Sequence, residues 1–501
     1  MSIKSIIPSS PQKITSYFCT WGVQCDISFG TYKGGIDNHS SASDVLCEET
    51  LKKYIHNTDC LHRVRKDLIF MYDLGWDVPF GVDFDDCNVL GSMEVIEEKF
   101  PSCSGSPVEK LKKLNDLAIE AGWKGTGIWL PANAHRENEI EYTKDSLIKF
   151  YTDRLEWSKE AEIKYWKVDY GFHNNDPDFR GMITELAEKV APGLVVEHAR
   201  VSSGFNDYHA PGFPEEANGS GLYSRWDNGN VLKEAAAIME KSHVLRLYDT
   251  SEELGIPSAL DRASQMFRTF SNTGSKCIIN CENQAHMGAA LGCALGILAI
   301  PNKERNQYRK FERALMWHRI APPMGAGKND CVLSDEYLSD SWMMKSAFDW
   351  FDYINNTIVT QKAPAITANN MPLPFVTGSA ENVPYVLASR HENGSYAIAT
   401  LPRKNQEGSY FPKTRVTLPI EGKNLRLGVF GLYEQLTLIF SDNYKISNLY
   451  IQDLASNDVR DITSFVTIEC GKITISGNIF EDICDYNGDF DDTPGAVLFI
   501  K

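Results

Sequence analysis

The segment Lys164-Tyr165-Trp166-Lys167-Val168-Asp169-Tyr170-Gly171 carries the residue types of a nucleophilic site. Aromatic and β-branched residues predict a short strand, with the aspartate at its C-terminal end and Gly171 where the chain must turn. Lys167 stands two residues before Asp169, on the same side of that strand. A cation there would hold Asp169 ionised, as a carboxylate nucleophile requires. Other apolar runs also end in acids: Asp67 to Tyr72 leads to Asp73, Leu194 to Val196 to Glu197, and the more mixed run from Ser242 to Asp249. At the C-terminal mouth of a parallel barrel such residues converge. Trp21, Trp76, Trp129 and Trp166 stand close to these acids in the sequence. Tryptophans suit stacking on a sugar face, and two carboxyl groups suffice to cleave a glycosidic bond. Taken singly, each acid reads equally well as a solvated loop residue or the partner of a nearby Lys or Arg. Four together favour a site.

The elements that must position these residues alternate. Strands are expected at Tyr17 to Gln24, Asp67 to Asp73, Gly125 to Pro131, Lys164 to Asp169, Leu194 to Glu197, Ser242 to Asp249 and Lys276 to Cys281. Helical periodicity marks Ser43 to Ile55, Glu109 to Ala121, Asp145 to Glu160, Asp178 to Val190, Leu232 to Lys241, Ser258 to Phe270, Ala285 to Ile300, Phe311 to His318 and Trp342 to Ile354. This alternation predicts an α/β fold, a closed (β/α)8 TIM barrel over residues 1–368. An open doubly wound sheet would show a Gly-rich phosphate loop after an early strand, and there is none. Beyond it, short β runs split by turn residues predict a C-terminal antiparallel β-sandwich over 369–501. The long loop from Asp77 to Ser106 holds Asp83, Asp85 and Asp86, and loops of that length are usually functional.

Length and composition fit this division. A chain of 501 residues exceeds a single core. Its net charge of −17 argues against nucleic acid as a partner and is indifferent to a neutral sugar. The 12 cysteines form no CxxC pair, which predicts buried free thiols in a reducing compartment. His135, His173, His198 and His286 lie on different elements without ligand spacing, so neither a metal nor another cofactor is expected. The start lacks an apolar signal region, and no stretch approaches a membrane span. The expectation is a cytoplasmic protein without a membrane partner, or a secreted or periplasmic one had a signal been removed; a homo-oligomer stays open.

With those residues in view, the chain resembles the clan D glycoside hydrolases, the α-galactosidase-like (melibiase) enzymes of families 27 and 36. Tyr165-Trp166-Lys167-Val168-Asp169 resembles the family's Lys-x-Asp nucleophile strand. Phe70-Met71-Tyr72-Asp73-Leu74-Gly75-Trp76 is similar to its Asp-Asp-Gly-Trp signature. Lys99-Phe100-Pro101 and Gly122-Trp123-Lys124-Gly125-Thr126-Gly127-Ile128-Trp129 resemble the path into its third strand, and Leu245-Arg246-Leu247-Tyr248-Asp249-Thr250 the strand carrying its acid/base. The resemblance covers barrel and sandwich alike. It implies a retaining exo-α-glycosidase acting on terminal α-linked sugars of an oligosaccharide or glycoside. Asp169 would be the nucleophile and Asp249 the acid/base, about 5–6 Å apart. Lys167, Arg246, Asp73, Trp76 and Trp129 would bind substrate, Trp21 would stack, and Glu197 with Arg200 would read the 2-substituent. Alternatives are glycosyl transfer of the raffinose-synthase type and a non-catalytic carbohydrate-binding protein on the same fold. Two departures stand out. The family's second aspartate is Leu74 here; Asp83, Asp85 or Asp86 are candidate replacements, and a calcium-like or a merely solvated acidic loop are the alternatives. The Arg246 to Asp249 spacing is short, which leaves Glu252 and Glu253 as rivals to Asp249.

Overall fold

The computed structural model describes residues 4–10, 15–29, 39–83, 86–201, 229–247, 255–298, 305–343, 356, 358–379, 381–440 and 446–501. Eight parallel strands form the first unit: β1 (Tyr17–Cys19), β2 (Ile69–Tyr72), β3 (Thr126–Leu130), β4 (Tyr165–Val168), β5 (Val195–Ala199), β6 (Val244–Arg246), β7 (Ile278–Asn280) and β8 (Gly296–Ile297). Along β1 to β7 each strand pairs with the next in sequence, β8 pairs with β1, and between β7 and β8 a single parallel bridge from Asn280 to Ala294 closes the ring. The expected barrel is therefore present. Helices follow the strands on the outside. Pro107–Glu120 starts on a reciprocal Ser106–Glu109 capping box, and Pro177–Val190 on the Asp176 carboxylate, which accepts from the amides of Asp178 and Phe179.

Several boundaries differ from the expected ones. β1 ends at Cys19, and Trp21–Phe29 is helical. The single helix expected from Ser43 to Ile55 is split into His39–Val45, Glu48–Leu51 and a wider turn Lys52–His56, because Cys47 is extended. The helix from Ala285 stops at Leu291, where Gly292 turns left-handed (φ 73°), which releases the chain for β8. Trp342 and Met343, the expected start of a helix, end the strand Tyr337–Met343, whose burial alternates with period two and which pairs with Ile358–Pro364; the rest of that expected helix lies outside the described residues.

The second unit packs an eight-stranded sheet on a five-stranded one. It is mixed rather than antiparallel. Ile366–Asn369 runs parallel to Tyr385–Arg390, Tyr396–Leu401 to Leu425–Phe430, and Arg415–Ile420 to Gln435–Phe440. In each case a strand of the opposite sheet intervenes in the sequence, so the chain reverses twice before it returns. The first strand of the large sheet, Cys331–Leu333, pairs with Ile366–Asn369, and thus the layer begins before the division expected at residue 369. Arg313, fully buried on helix Arg305–Ile320, ties the units together through Asp453 (2.9 Å) and Asp492 (2.6 Å).

No helix among the described residues is long and apolar enough to cross a membrane. Inside the barrel the space is filled. A Cβ on Gly127 would lie 2.5 Å from Met71 Cε, 3.0 Å from Tyr165 Cβ and 3.1 Å from Ile69 Cγ2. Gly127→Val should therefore destabilise the protein by about 1–3 kcal/mol in urea unfolding; an unchanged midpoint would contradict this packing.

Candidate active site

Strand alternation aims Lys167 and Asp169 into the barrel mouth together with Trp129, whose Cα is in register with Lys167. Asp169 is 7% exposed. Its Oδ2 accepts from Trp129 Nε1 (2.9 Å), and its Oδ1 from Arg246 Nη2 (2.7 Å). Burial alone would raise this carboxyl, yet Arg246 and then Lys167, with the indole N–H, hold it below the usual carboxylate range. Asp169 is thus an ionised carboxylate with two fixed donors, at the end of β4. From behind, Arg180 donates to the main-chain carbonyls of Val168 (3.1 Å) and Asp169 (2.8 Å).

The expected Lys167–Asp169 ion pair is not the one that forms. Lys167 Nζ donates to Asp73 Oδ2 (2.7 Å), which also accepts from Cys19 Sγ (2.9 Å). Burial opposes the Lys167 charge, but Asp73 raises its pKa. Parity on one strand brought Lys167 to the correct side; the acid after β2 decided its partner.

Arg246, at the end of β6, is the centre of the cluster. Besides Asp169 it faces Glu197 (Nε to Oε1, 3.3 Å) and Glu282 (Nη1 to Oε1, 3.4 Å). Burial opposes its charge, but Asp169 and Glu282 lead the groups that keep it protonated. Glu197 is fully enclosed and accepts from Tyr17 Oη (3.0 Å), Tyr165 Oη (2.8 Å) and Asn280 Nδ2 (2.7 Å). It lies under the site and supports Arg246, so the role of reading a sugar 2-substituent does not fit it. Arg200 does not join it: it pairs with Glu234 on helix Gly229–Met239 (2.8 Å).

The tryptophans sort by burial. Trp76 is buried and donates to the Trp129 carbonyl (2.9 Å), so it braces β3 rather than touching a sugar. Trp129 is buried against Leu74, Val78 and Leu90 and acts on Asp169 through its indole N–H. Trp21 is half-buried, packs on the same cluster, and retains the surface for stacking. Asp83 and Asp86 are exposed, and Asp86 accepts from the amide of Asn88, so neither replaces the carboxylate absent at Leu74. Asp249, Glu252, Glu253 and Asp85 lie outside the described residues. Among the described residues no three His, Cys, Asp or Glu gather as a metal site. All twelve cysteines are free thiols.

Glu282 was missed from the sequence. It follows β7, is 6% exposed, and is pushed up by burial in spite of Arg246. The available signal was the same as for Asp73 and Asp169, an acid immediately after an apolar strand.

No protein-family model matches this sequence, and no curated protein matches it. Among solved structures it is similar to a GH27 β-L-arabinopyranosidase from Geobacillus stearothermophilus (TM-score 0.41, 10% identity, covering 99% of this chain and 96% of that one). It is similar to an α-galactosidase from Saccharomyces cerevisiae (TM-score 0.41, 12% identity, 98% and 99%). A third is α-galactosidase I from Mortierella vinacea (TM-score 0.38, 11% identity, 98% and 96%). What those enzymes act on is a property of each of them.

Arg246 makes stability depend on pH in a predictable way. Asp169 titrates below its ordinary 3.8, so its contribution is present above that value and is lost as pH falls through the lower folded one. Arg246→Gln leaves buried carboxylates without their cation and should cost about 3–5 kcal/mol at about pH 7. The difference from wild type should shrink below about pH 5, as the carboxyls take up protons. Urea midpoints of both proteins across pH check this; a gap that widens on acidification contradicts it.

Proposed function

We propose that this protein is a retaining exo-α-glycosidase, of the α-galactosidase-like kind, that hydrolyses terminal α-linked sugars through a covalent glycosyl-enzyme. The observation that carries this reading is Asp169: a carboxylate at a barrel mouth, held ionised by Arg246 and oriented by Trp129. A carboxylate nucleophile needs that charge and that fixed aim.

In the first step an Asp169 oxygen bonds to the anomeric carbon while the bond from that carbon to the leaving oxygen breaks. Asp249 is assigned the proton delivered to that oxygen, on the sequence reading alone. In the second step water loses a proton to the same residue and displaces Asp169, restoring the original anomeric configuration. Trp129 and Arg246 spread the Asp169 charge before attack and take it up again when the ester is cleaved. The Asp73–Lys167 pair presents an acceptor and a donor to ring hydroxyls, and Trp21 offers its face to the sugar.

Asp169→Asn should lower turnover of aryl α-galactosides, α-glucosides or α-N-acetylgalactosaminides by about a thousandfold or more, whichever the wild type accepts best. Product followed by NMR should first appear as the α-anomer. Unchanged turnover in Asp169→Asn, or a β-anomer as first product, would overturn the reading.

A further inference from the structure

We propose that Arg180 is a positioning residue for the second half of the reaction: a buried cation fixed to the main chain behind Asp169, whose charge eases the release of that carboxylate from the glycosyl-enzyme. This rests on the glycosidase reading above.

Arg180 stands on the helix Pro177–Val190 that follows β4, and it is fully buried. Its Nε donates to Asn174 O (2.8 Å), its Nη1 to Val168 O (3.1 Å) and its Nη2 to Asp169 O (2.8 Å). The remaining partner is Nδ1 of His198 on β5, 3.2 Å from Nη1. A guanidinium has only N–H groups to offer, so that ring nitrogen is the bare one and the imidazole proton sits on Nε2. Nε2 has the matching acceptor, Thr184 Oγ1 at 2.9 Å, and the Thr184 hydroxyl donates in turn to the Arg180 carbonyl (3.3 Å). Burial, and then Arg180 itself, keep this imidazole neutral. The ring of bonds is closed, and none of its side chains is an anion.

Other buried guanidinia of this protein are compensated differently. Arg313 meets Asp453 and Asp492, Arg319 meets Asp67, and Arg403 meets Asp340. Arg65 has carbonyl partners, but among them is Ala121 at the end of helix Pro107–Glu120, where a cation is favoured. Arg180 has only loop and strand-end carbonyls and a neutral ring. Burial pushes its titration down to about 9, still above neutrality, and the Asp169 carboxylate is the foremost charge that opposes the fall, ahead of Asp176. The anion that answers Arg180 is thus the nucleophile whose main chain it holds.

The covalent intermediate removes that anion. In the free enzyme Asp169 answers to two guanidinia, Arg246 on its carboxylate and Arg180 on its main chain. As an ester it carries no charge. Arg246 still faces Glu197 and Glu282, whereas Arg180 has no carboxylate among its hydrogen-bond partners. In the second step the oxygen of water bonds to the anomeric carbon, and the bond from that carbon to Asp169 breaks. Its electron pair returns to the carboxylate, and the water proton goes to the acid/base assigned to Asp249. Negative charge reappears on Asp169, and a fixed cation in a dry site stabilises it as it forms. The same cation makes Asp169 a weaker base, which gives the first step no advantage.

The test uses a dinitrophenyl α-glycoside of the best-accepted configuration. Its activated leaving group makes release from Asp169 the slow step, so kcat reads the second step and kcat/KM the first. Arg180→Met should lose about 10-fold or more in kcat and no more than a few-fold in kcat/KM, with a stoichiometric burst of dinitrophenolate before steady state. A residue that only shaped the strand would slow both steps alike. His198→Asp and His198→Asn both leave the guanidinium on its carbonyls, but the aspartate neutralises it. The kcat of His198→Asp should therefore be about 10-fold below that of His198→Asn, with kcat/KM equal within a few-fold. This pair decides the matter should Arg180→Met not fold. Equal falls in kcat and kcat/KM without a burst in Arg180→Met, or equal kcat in the two His198 variants, would overturn the proposal. Unchanged turnover in Asp169→Asn would instead sink the glycosidase reading on which it rests.

Discussion

A buried guanidinium shared by three carboxyl groups is the constraint on which the rest of this molecule turns. Arg246 faces Asp169, Glu197 and Glu282 from the end of one strand, and all four side chains are almost removed from water. Such an arrangement is tolerable only when geometry and hydrogen bonds compensate for lost hydration; remove one partner and an uncompensated charge remains. The interior of the barrel supplies that compensation layer by layer. Tyr17 on β1, Tyr165 on β4 and Asn280 on β7 complete Glu197, Glu197 steadies Arg246, and Arg246 sets the charge and direction of Asp169. A second line runs through the aromatics: Trp76 holds the Trp129 carbonyl, and Trp129 holds Asp169.

This division of labour explains why residues of one chemical type play different parts. Acids follow β2, β4 and β7, and one stands in the middle of β5, yet their surroundings separate them. Asp73 is bound to an ammonium, Asp169 to a guanidinium and an indole, Glu197 is sealed beneath, and Glu282 stands on a strained turn at the edge. Closely spaced carboxyls with unlike environments are how a fold keeps one ionised and another protonated at a single pH.

Much of this was legible in the sequence because strand and helix periods differ. The (β/α)8 plan, the parity of Lys167 and Asp169, and the placing of Asp73 and Asp169 just after their strands all follow from spacing within single elements. What was not legible depends on neighbours brought together by closure of the ring. Lys167 pairs with Asp73 because β2 and β4 meet across the interior, and Glu197 is sealed because Tyr17 and Tyr165 reach it from two other strands. Glu282 was hidden by the shortness of β7 and by the polar run that follows it. The eighth strand was hidden because Gly296–Ile297 lies within an apolar, small-residue run that reads as continuous helix. The parallel pairs of the second unit could not be read from short β runs, since which sheet a strand joins is a tertiary property.

The central claim, that Asp169 is the nucleophile, is tested most directly by trapping. Incubation with 5-fluoro-α-glycosyl fluorides of galacto and gluco configuration should leave a covalent glycosyl ester, and peptide mass spectrometry should locate it on the segment containing Asp169, with loss of activity in step with labelling. An adduct on a different residue, or full activity after exhaustive exposure to every sugar the enzyme turns over, would contradict the account.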